Sequence, residues 1–275
     1  MQAPIYQVDA FASRAGEGNP AGVCLPPAPV SGAWMQDVAA EMNLSETAFL
    51  RPEDGAWGLR WFTPTVEVDL CGHATLAAAF VLWSEERSDP GAPLHFATRS
   101  GRLAARRGRE GRVELDFPAE PALPAAPPAA LLRALAPDGD APEIVAAARN
   151  RVDWLLELAD EEAVRALAPD MRALAAVEAR GTIVTAPAGE RARRQDPTAD
   201  FVSRFFGPAV GVPEDPVTGS AHCALGPWWG NRLGRTLVTG RQVSARGGTV
   251  EVRMRGRRVT LAGRAVTVLR GTIDV

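Results

Sequence analysis

Two short stretches of the sequence combine small residues with groups that can carry protons. One is Asp69–Thr75, with the order Asp-Leu-Cys-Gly-His-Ala-Thr, and the other is Gly211–His222, in which Glu214 and Asp215 lie on a proline-flanked turn. Each stretch runs into an apolar segment of helical character. A helix N-terminus offers unpaired N–H groups and the positive end of a dipole, and glycine lets a ligand approach closely. Two such turns facing each other predict a cradle for a small carboxylate.

Four side chains could move protons in such a site: Glu46, His73, Glu214 and Asp215. A carboxyl group in a partly apolar pocket favours its protonated form, which brings its pKa towards neutrality and suits general acid–base catalysis. A histidine at a helix start is expected to be neutral. His73 could then relay a proton, although its position equally suits a histidine that only fixes the turn. The pattern indicates proton transfer at carbon.

Several other mechanisms are excluded or disfavoured. The 30 basic residues are all Arg, so a pyridoxal-phosphate Schiff base and a P-loop both lack the lysine they need. The three His and three Cys form no HxH, HExxH or CxxC pair, and no metal site is predicted. Cys71 and His73 flank Gly72 and are expected to point in different directions, which argues against a Cys–His nucleophile. Ser220 lacks the G-x-S-x-G surroundings of a nucleophilic serine.

The composition is that of an ordinary globular protein, with 275 residues, 46% hydrophobic and 23% charged residues and a net charge of −3. A nucleic-acid-binding protein would need a concentrated basic face. The N-terminus lacks the pattern of a signal peptide, and the longest apolar run, Ala74–Trp83, is shorter than the roughly 20 residues that span a bilayer. We therefore expect a cytoplasmic protein with no nucleic-acid or membrane partner and no disulfide framework.

The elements that would position these groups form two halves with a similar order of strands and helices. Five prolines between Pro118 and Ala130 predict a domain boundary, so we expect domains at 1–117 and 118–264. In the first half, strands are predicted at 5–11, 23–27, 57–63, 94–98, 103–107 and 113–117, with helices from the Ser31 cap to 42 and at 76–83. In the second half, strands are predicted at 143–148, 154–158, 182–186 and 200–206, with helices at 129–136, within 160–177 and at 221–233. The last part of the sequence is predicted to be a β-meander with glycine at its turns. This pattern of elements in the two halves predicts a duplicated α+β protein.

The motifs resemble those of the PhzF-like (phenazine biosynthesis) family. In chain order they are Asp9-Ala-Phe, Gly18-Asn-Pro-Ala-Gly, Asn43-Leu-Ser-Glu-Thr, Asp69-Leu-Cys-Gly-His-Ala-Thr, Glu214-Asp-Pro-Val-Thr-Gly-Ser-Ala-His and Gln242-Val-Ser-Ala-Arg-Gly-Gly. The resemblance runs from residue 9 to about 271, whereas 118–199 carries no family motif.

This resemblance implies the α+β diaminopimelate-epimerase-like fold, with two similar domains that are each a curved mixed sheet around a central helix. It implies a site in the cleft between them, and a last strand near 265–275 that returns to the first domain. The named member isomerises a cyclic dihydro-hydroxyanthranilate without a cofactor. By this resemblance Glu46 carries the proton, His73 and Asp215 assist, and Ser45, Gly72, Gly219 and Ser220 hold the substrate's carboxylate and polar groups. It also suggests a homodimer, and Glu214 is left as scaffolding.

Two alternatives come from other function classes. Related racemases and epimerases use two facing cysteines; here Cys71 occupies one such position, but the other falls near Pro216, which cannot act. A two-base amino-acid racemase or epimerase is therefore disfavoured. A non-catalytic binding protein that keeps the cleft is the second alternative, and the presence of Glu46, His73 and Asp215 together argues against it.

Overall fold

The computed structural model describes residues 1–137, 139 and 142–274. The chain divides into two compact units, one formed by Met1–Asp116 with Ala262–Val275 and the other by Phe117–Leu261. Both units combine many strands with a smaller number of helices, so the α+β class predicted from the sequence is confirmed. Among the described helices, none has the length and apolarity needed to cross a bilayer.

The first unit is built on a mixed sheet. Its elements are β1 (Gln2–Ala10), β2 (Asn19–Cys24), α1 (Gly32–Met42), β3 (Glu46–Glu53), β4 (Ala56–Phe62), β5 (Glu67–Val68), α2 (Gly72–Ser84), β6 (Leu94–Thr98), β7 (Gly101–Arg107), β8 (Val113–Pro118, which ends at the boundary) and β17 (Ala265–Asp274). The neighbouring strands run in the order β17, β1, β2, β3, β4, β6, β7 and β8, with β5 also paired to β4. The β2–β3 and β4–β6 pairs are parallel.

Helix α2 is buried on nearly all sides, as its run of Ala, Leu and Val requires. It packs against β1, β2, β3 and β17 of the same unit. The helix begins at Gly72, so the predicted glycine turn is its first turn rather than a separate loop. Helix α1 begins at Gly32 as predicted, because the Ser31 hydroxyl accepts a hydrogen bond from the Trp34 N–H at 3.1 Å.

The second unit contains a sheet in the order β9 to β15. Its elements are β9 (Leu123–Pro124), α3 (Ala129–Leu135), β10 (Ile144–Arg149), β11 (Asp153–Leu158), α4 (Glu161–Ala166), α5 (Met171–Ala175), β12 (Gly181–Pro187), α6 (Glu190–Gln195), β13 (Phe201–Phe206), α7 (Gly219–Leu233), β14 (Leu237–Gln242), β15 (Gly248–Arg255) and β16 (Arg258–Gly263). The β11–β12 and β13–β14 pairs are parallel, and the other pairs along this order are antiparallel.

Helix α7 lies against β14 and β15 at very short range. A Cβ atom at Gly226 would come within 2.4 Å of Val252 Cγ1, so the glycine lets the helix approach the strand. The helix accommodates Pro227 in its interior and ends at Leu233, followed by the C-cap residue Gly234, which has a φ of 64°. On its buried face the His222 Nδ1 atom lies 2.8 Å from the Thr218 carbonyl oxygen. His222 and Cys223 are both buried in this packing.

Candidate active site

Glu46 and His73 contact each other in the first unit. Glu46 is the first residue of β3 and His73 the second residue of α2, and the Glu46 Oε2 atom lies 3.2 Å from His73 Nε2. Their side chains are 19% and 8% exposed. The Oε2 atom is shielded from solvent, so its contact with His73 lies away from bulk water.

The protonation states of this pair correct two sequence-based expectations. Burial lowers the pKa of His73, but the charges of Cys71 and Glu46 outweigh burial and hold this pKa well above its ordinary value. Burial raises the pKa of Glu46, but the charge of His73 and hydrogen bonds from His73 and Cys71 overcome that and lower the pKa. The expectation that His73 is neutral and the expectation that the pKa of Glu46 is raised are therefore both wrong. Glu46 and His73 act on each other at short range, and together with Cys71 their effect outweighs that of burial.

Cys71 also belongs to this cluster, which corrects the expectation that it and His73 point apart. Its Sγ atom lies 3.5 Å from His73 Nδ1 and 4.0 Å from His73 Nε2. Cys71 is the extended N-cap residue of α2, and helical side chains tilt back towards the N-terminus, so the imidazole leans over it. Burial, and then the charge of Glu46, raise the pKa of the Cys71 thiol against the opposing effect of His73.

Glu46, Cys71 and His73 form the one group of three donors in the described part of the chain that could hold a metal ion. One donor atom from each residue lies within 4.8 Å of the other two. A search for local motifs does not find this set, because Glu46 comes from a different element, far from Cys71 and His73 in sequence.

The position of Glu46 is fixed by its parallel pairing with β2. Ala21 pairs with Glu46 and Gly22 with Thr47, and a Cβ atom at Gly22 would come within 2.6 Å of the Thr47 hydroxyl oxygen. The buried Asn19 at the start of β2 accepts a hydrogen bond through Oδ1 from the Ser45 hydroxyl at 3.1 Å. The Gly-Asn-Pro-Ala-Gly motif therefore holds the chain segment that presents Glu46.

Asp215 lies in the second unit, on a turn that is held by hydrogen bonds to β13, to β14 and to the N-cap residue of α7. The Asp215 N–H donates to the Phe205 carbonyl at 3.0 Å, and the buried Gln242 side chain donates to the Asp215 carbonyl at 2.6 Å. The Thr218 hydroxyl donates to the Asp215 carboxylate at 2.5 Å. Thr218 is the N-cap residue of α7 but makes no side-chain cap hydrogen bond, because its hydroxyl is directed to Asp215. The carboxylate orientation and the helix start are thus coupled.

Glu214, the neighbour of Asp215, is engaged in an ion pair within the second unit. Its carboxylate accepts two hydrogen bonds from Arg204, at 2.7 and 3.0 Å, and Arg204 also donates to the Leu167 carbonyl at 2.7 Å. Gly219 is buried and Ser220 exposed at the first two positions of α7. The scaffolding role expected for Glu214 fits this bidentate ion pair.

The predicted site residues thus fall into two groups. Ser45, Glu46, Gly72 and His73 lie in the first unit, where Glu46 and His73 make direct contact; Asp215, Gly219 and Ser220 lie in the second. Sequence reasoning gave no role to Asn19 or Gln242, which hold these groups through hydrogen bonds with Ser45 and Asp215. Asn19 and Gln242 stand inside motifs that the sequence displays, and their complete burial as polar side chains identifies them as positioning residues.

Comparison with known proteins identifies the family. A family model described as phenazine biosynthesis-like protein (PhzC-PhzF) matches residues 8–271. The chain belongs to the phenazine biosynthesis-like family. Among curated members, a protein of Halalkalibacterium halodurans is 46% identical, and one of Pseudomonas aeruginosa 50% identical, each over 99% of both chains. Both are named uncharacterised isomerases, in agreement with the isomerase predicted from the sequence.

Solved structures support the same fold. A PhzF-family protein of Enterococcus faecalis is 41% identical, with a TM-score of 0.91 and complete coverage of both chains. A hydroxyproline epimerase of Agrobacterium vitis, only 13% identical, still gives a TM-score of 0.60 over 99% of this phenazine biosynthesis-like chain and 92% of its own. The predicted diaminopimelate-epimerase-like fold is confirmed.

Proposed function

We propose that this protein is a cofactor-independent isomerase that moves a proton at carbon on a small, carboxylate-bearing substrate. The observation that carries the proposal is the Glu46–His73 contact, in which a mostly buried carboxylate lies 3.2 Å from an imidazole nitrogen. The isomerase names of its relatives support the reaction class.

In this proposal the Glu46 carboxylate removes a proton from a substrate carbon and returns it to another carbon. The proton and the bonding electron pair balance within the substrate, since the C–H bond lost at one position is formed again at the other. His73 holds the carboxylate in place and keeps it ionised by its charge, which leaves a base ready for the first step. Cys71 supports the orientation of the imidazole ring from its other side.

The roles of the remaining predicted residues belong to the same proposal. Asp215 assists the proton transfer, and its coupling to Thr218 and Gln242 gives it one orientation. Ser45 and Gly72 flank Glu46 and His73 in sequence, and Gly219 and Ser220 begin α7. These small residues are proposed to bind the substrate's carboxylate and polar groups.

Exchange of substrate hydrogen with solvent tests the function. The purified protein is incubated in D₂O with a panel of small carboxylates that includes cyclic dienes, cyclic imino acids and linear amino acids. Proton NMR and chiral chromatography then follow each compound. Deuterium incorporation with a moved double bond supports the isomerase. Inversion at a carbon next to the carboxylate without double-bond movement supports the racemase alternative instead. Saturable binding without any exchange supports the non-catalytic alternative.

A further inference from the structure

We infer that the first unit contains a further ligand site, which binds a small aromatic carboxylate with one negative charge. The site is a cavity of about 390 Å³ on the face of the sheet formed by β3, β4 and β6, and it is called the sheet cavity below. None of the predicted active-site residues is among the described residues that line it. The inference is therefore independent of the proposed isomerase reaction.

The sheet cavity exists because the middle of this sheet face carries small residues. Gly58 of β4 pairs with Arg51 of β3 on one side and with Ala97 of β6 on the other. Directly paired residues point to the same face of a sheet, and neither Gly58 nor Ala97 has a side chain that fills the space between the strands' larger neighbours. The volume lies within the range of roughly 300–1,000 Å³ that is typical of small-molecule pockets.

One end of the sheet cavity is apolar. It is lined by Met35 of α1, Phe49 of β3 and Leu59 of β4, which are all buried. The Phe49 ring is in edge-to-face contact with Phe62 at 5.5 Å and with Trp34 at 6.2 Å between ring centroids. An aromatic ligand ring beside Phe49 would extend this cluster, and such ring pairs are favourable beyond the burial of their area.

The other end of the sheet cavity carries arginines that a single carboxylate holds in place. Glu67 accepts two hydrogen bonds from Arg60, at 2.7 and 2.8 Å, and its Oε2 atom lies 2.8 Å from Arg99 Nη2. The Arg60 guanidinium also lies over the Phe62 ring, 5.1 Å from its centroid. A guanidinium has five N–H donors, so in the described structure both groups are oriented and keep donors for a second carboxylate.

The charges around the sheet cavity select a monoanion. Arg51, Arg60 and Arg99 line it, whereas the acidic groups paired with them are Glu53 and Glu67. Three positive and two negative charges leave a surplus of one positive charge. A ligand with one carboxylate balances this surplus, and arginine binds a planar carboxylate with two parallel hydrogen bonds. A neutral ring would leave the surplus unmatched.

NMR titration of the full chain with 1-naphthoate tests the inference without any substrate. With ¹³C-methyl-labelled methionine, saturable binding is expected to shift the methyl signal of Met35, which lines the sheet cavity. The signals of Met171 and Met254 in the second unit should stay in place. The neutral analogue 1-naphthalenemethanol is expected to bind at least about 10-fold more weakly, because it cannot form charge-assisted hydrogen bonds with arginine.

Three variants separate loss of the site from loss of the fold. Gly58→Leu fills the sheet cavity and meets only the flexible end of Glu53, so it should abolish the Met35 shift while circular dichroism stays unchanged. Arg51→Met removes the surplus charge and should weaken binding about 10-fold. Arg14→Met removes an exposed arginine that pairs with Glu17 and should keep wild-type affinity.

The inference is overturned if 1-naphthoate leaves the Met35 signal unmoved, or if the neutral analogue binds equally well. Wild-type affinity in a folded Gly58→Leu protein also overturns it, because the ligand would then occupy another place. None of these measurements depends on deuterium exchange, so failure of the proposed isomerase reaction is a separate outcome.

Discussion

The Glu46 carboxylate and the His73 imidazole lie 3.2 Å apart, one at the start of β3 and the other in the first turn of α2. Parallel pairing of β2 with β3 fixes the first, and packing of α2 against the same strands fixes the second. Opposite charges at this distance in a mostly buried place favour the ionised form of both groups. In the proposed reaction this carboxylate is already ionised and can therefore accept a proton from the substrate.

Glu46→Gln should reduce deuterium exchange into a turned-over substrate by at least about 100-fold, because an amide cannot act as the general base. Solvent exchange followed by NMR measures the effect. Glu53→Gln is the matched control, since Glu53 ends the same strand with an exposed side chain and pairs with Arg51. Exchange that persists at the wild-type rate in Glu46→Gln contradicts the assigned role.

His222 should make the protein lose stability as the pH falls below 6.5. Burial lowers the pKa of His222 to about 4, against 6.5 for a free histidine. Between these values the unfolded chain takes up a proton that the folded chain does not bind. Stability is therefore fully present above pH 6.5 and declines towards pH 4, by about 2 kcal/mol between pH 6.5 and 5.

Urea unfolding at a series of pH values measures this dependence. The stability gained from the raised pKa of His73 is fully present throughout that window, because such a contribution is lost only at higher pH. His222→Gln should flatten the curve, whereas His95→Gln, at an exposed position of β6, should leave its slope unchanged. Parallel curves for wild type and His222→Gln would refute the assignment.

Gly18→Ala should destabilise the protein far more than Gly16→Ala. Both glycines have positive φ, 70° and 88°, so either substitution costs about 1–2 kcal/mol in backbone strain. A Cβ atom at Gly18 would also lie 2.2 Å from the Ala10 carbonyl oxygen, while one at Gly16 has no atom within 4 Å. We expect a total of roughly 3 kcal/mol or more at Gly18. Equal losses of unfolding free energy at both positions would exclude this explanation.

Arg204→Met should destabilise the second unit by about 3 kcal/mol, because it leaves the Glu214 carboxylate without its partner in a largely buried place. It also removes the donor to the Leu167 carbonyl. Glu214→Gln keeps the size but leaves the more buried Arg204 charge without its counter-charge, so it should cost a comparable amount. Thermal unfolding measures both. Glu214→Gln should keep the rate of deuterium exchange, and a loss comparable to that of Glu46→Gln would show that Glu214 is more than scaffolding.

The sequence predicts well where local pattern decides structure. The Ser31 cap places the start of α1, and β6 has the predicted bounds 94–98. Prediction from the sequence fails where a structural feature depends on contacts between segments that are distant in the chain. The raised pKa of His73 depends on Cys71 and on Glu46 from another element, and the contact of Cys71 with His73 follows from the tilt of helical side chains. Asn19 and Gln242 lie inside visible motifs, but their roles emerge only with their hydrogen-bond partners.

The pairing of β1 with β17 bears on the order in which the chain is completed during translation. Residues Gln2–Ala10 pair along one edge with Ala265–Asp274, a strand that is synthesised only after the whole second unit. The second unit is continuous in sequence and can fold while the first still lacks a strand. For roughly ten seconds or more at ordinary elongation rates, the nascent chain therefore exposes an unpaired β1 edge, the kind of surface that recruits chaperones or other strands.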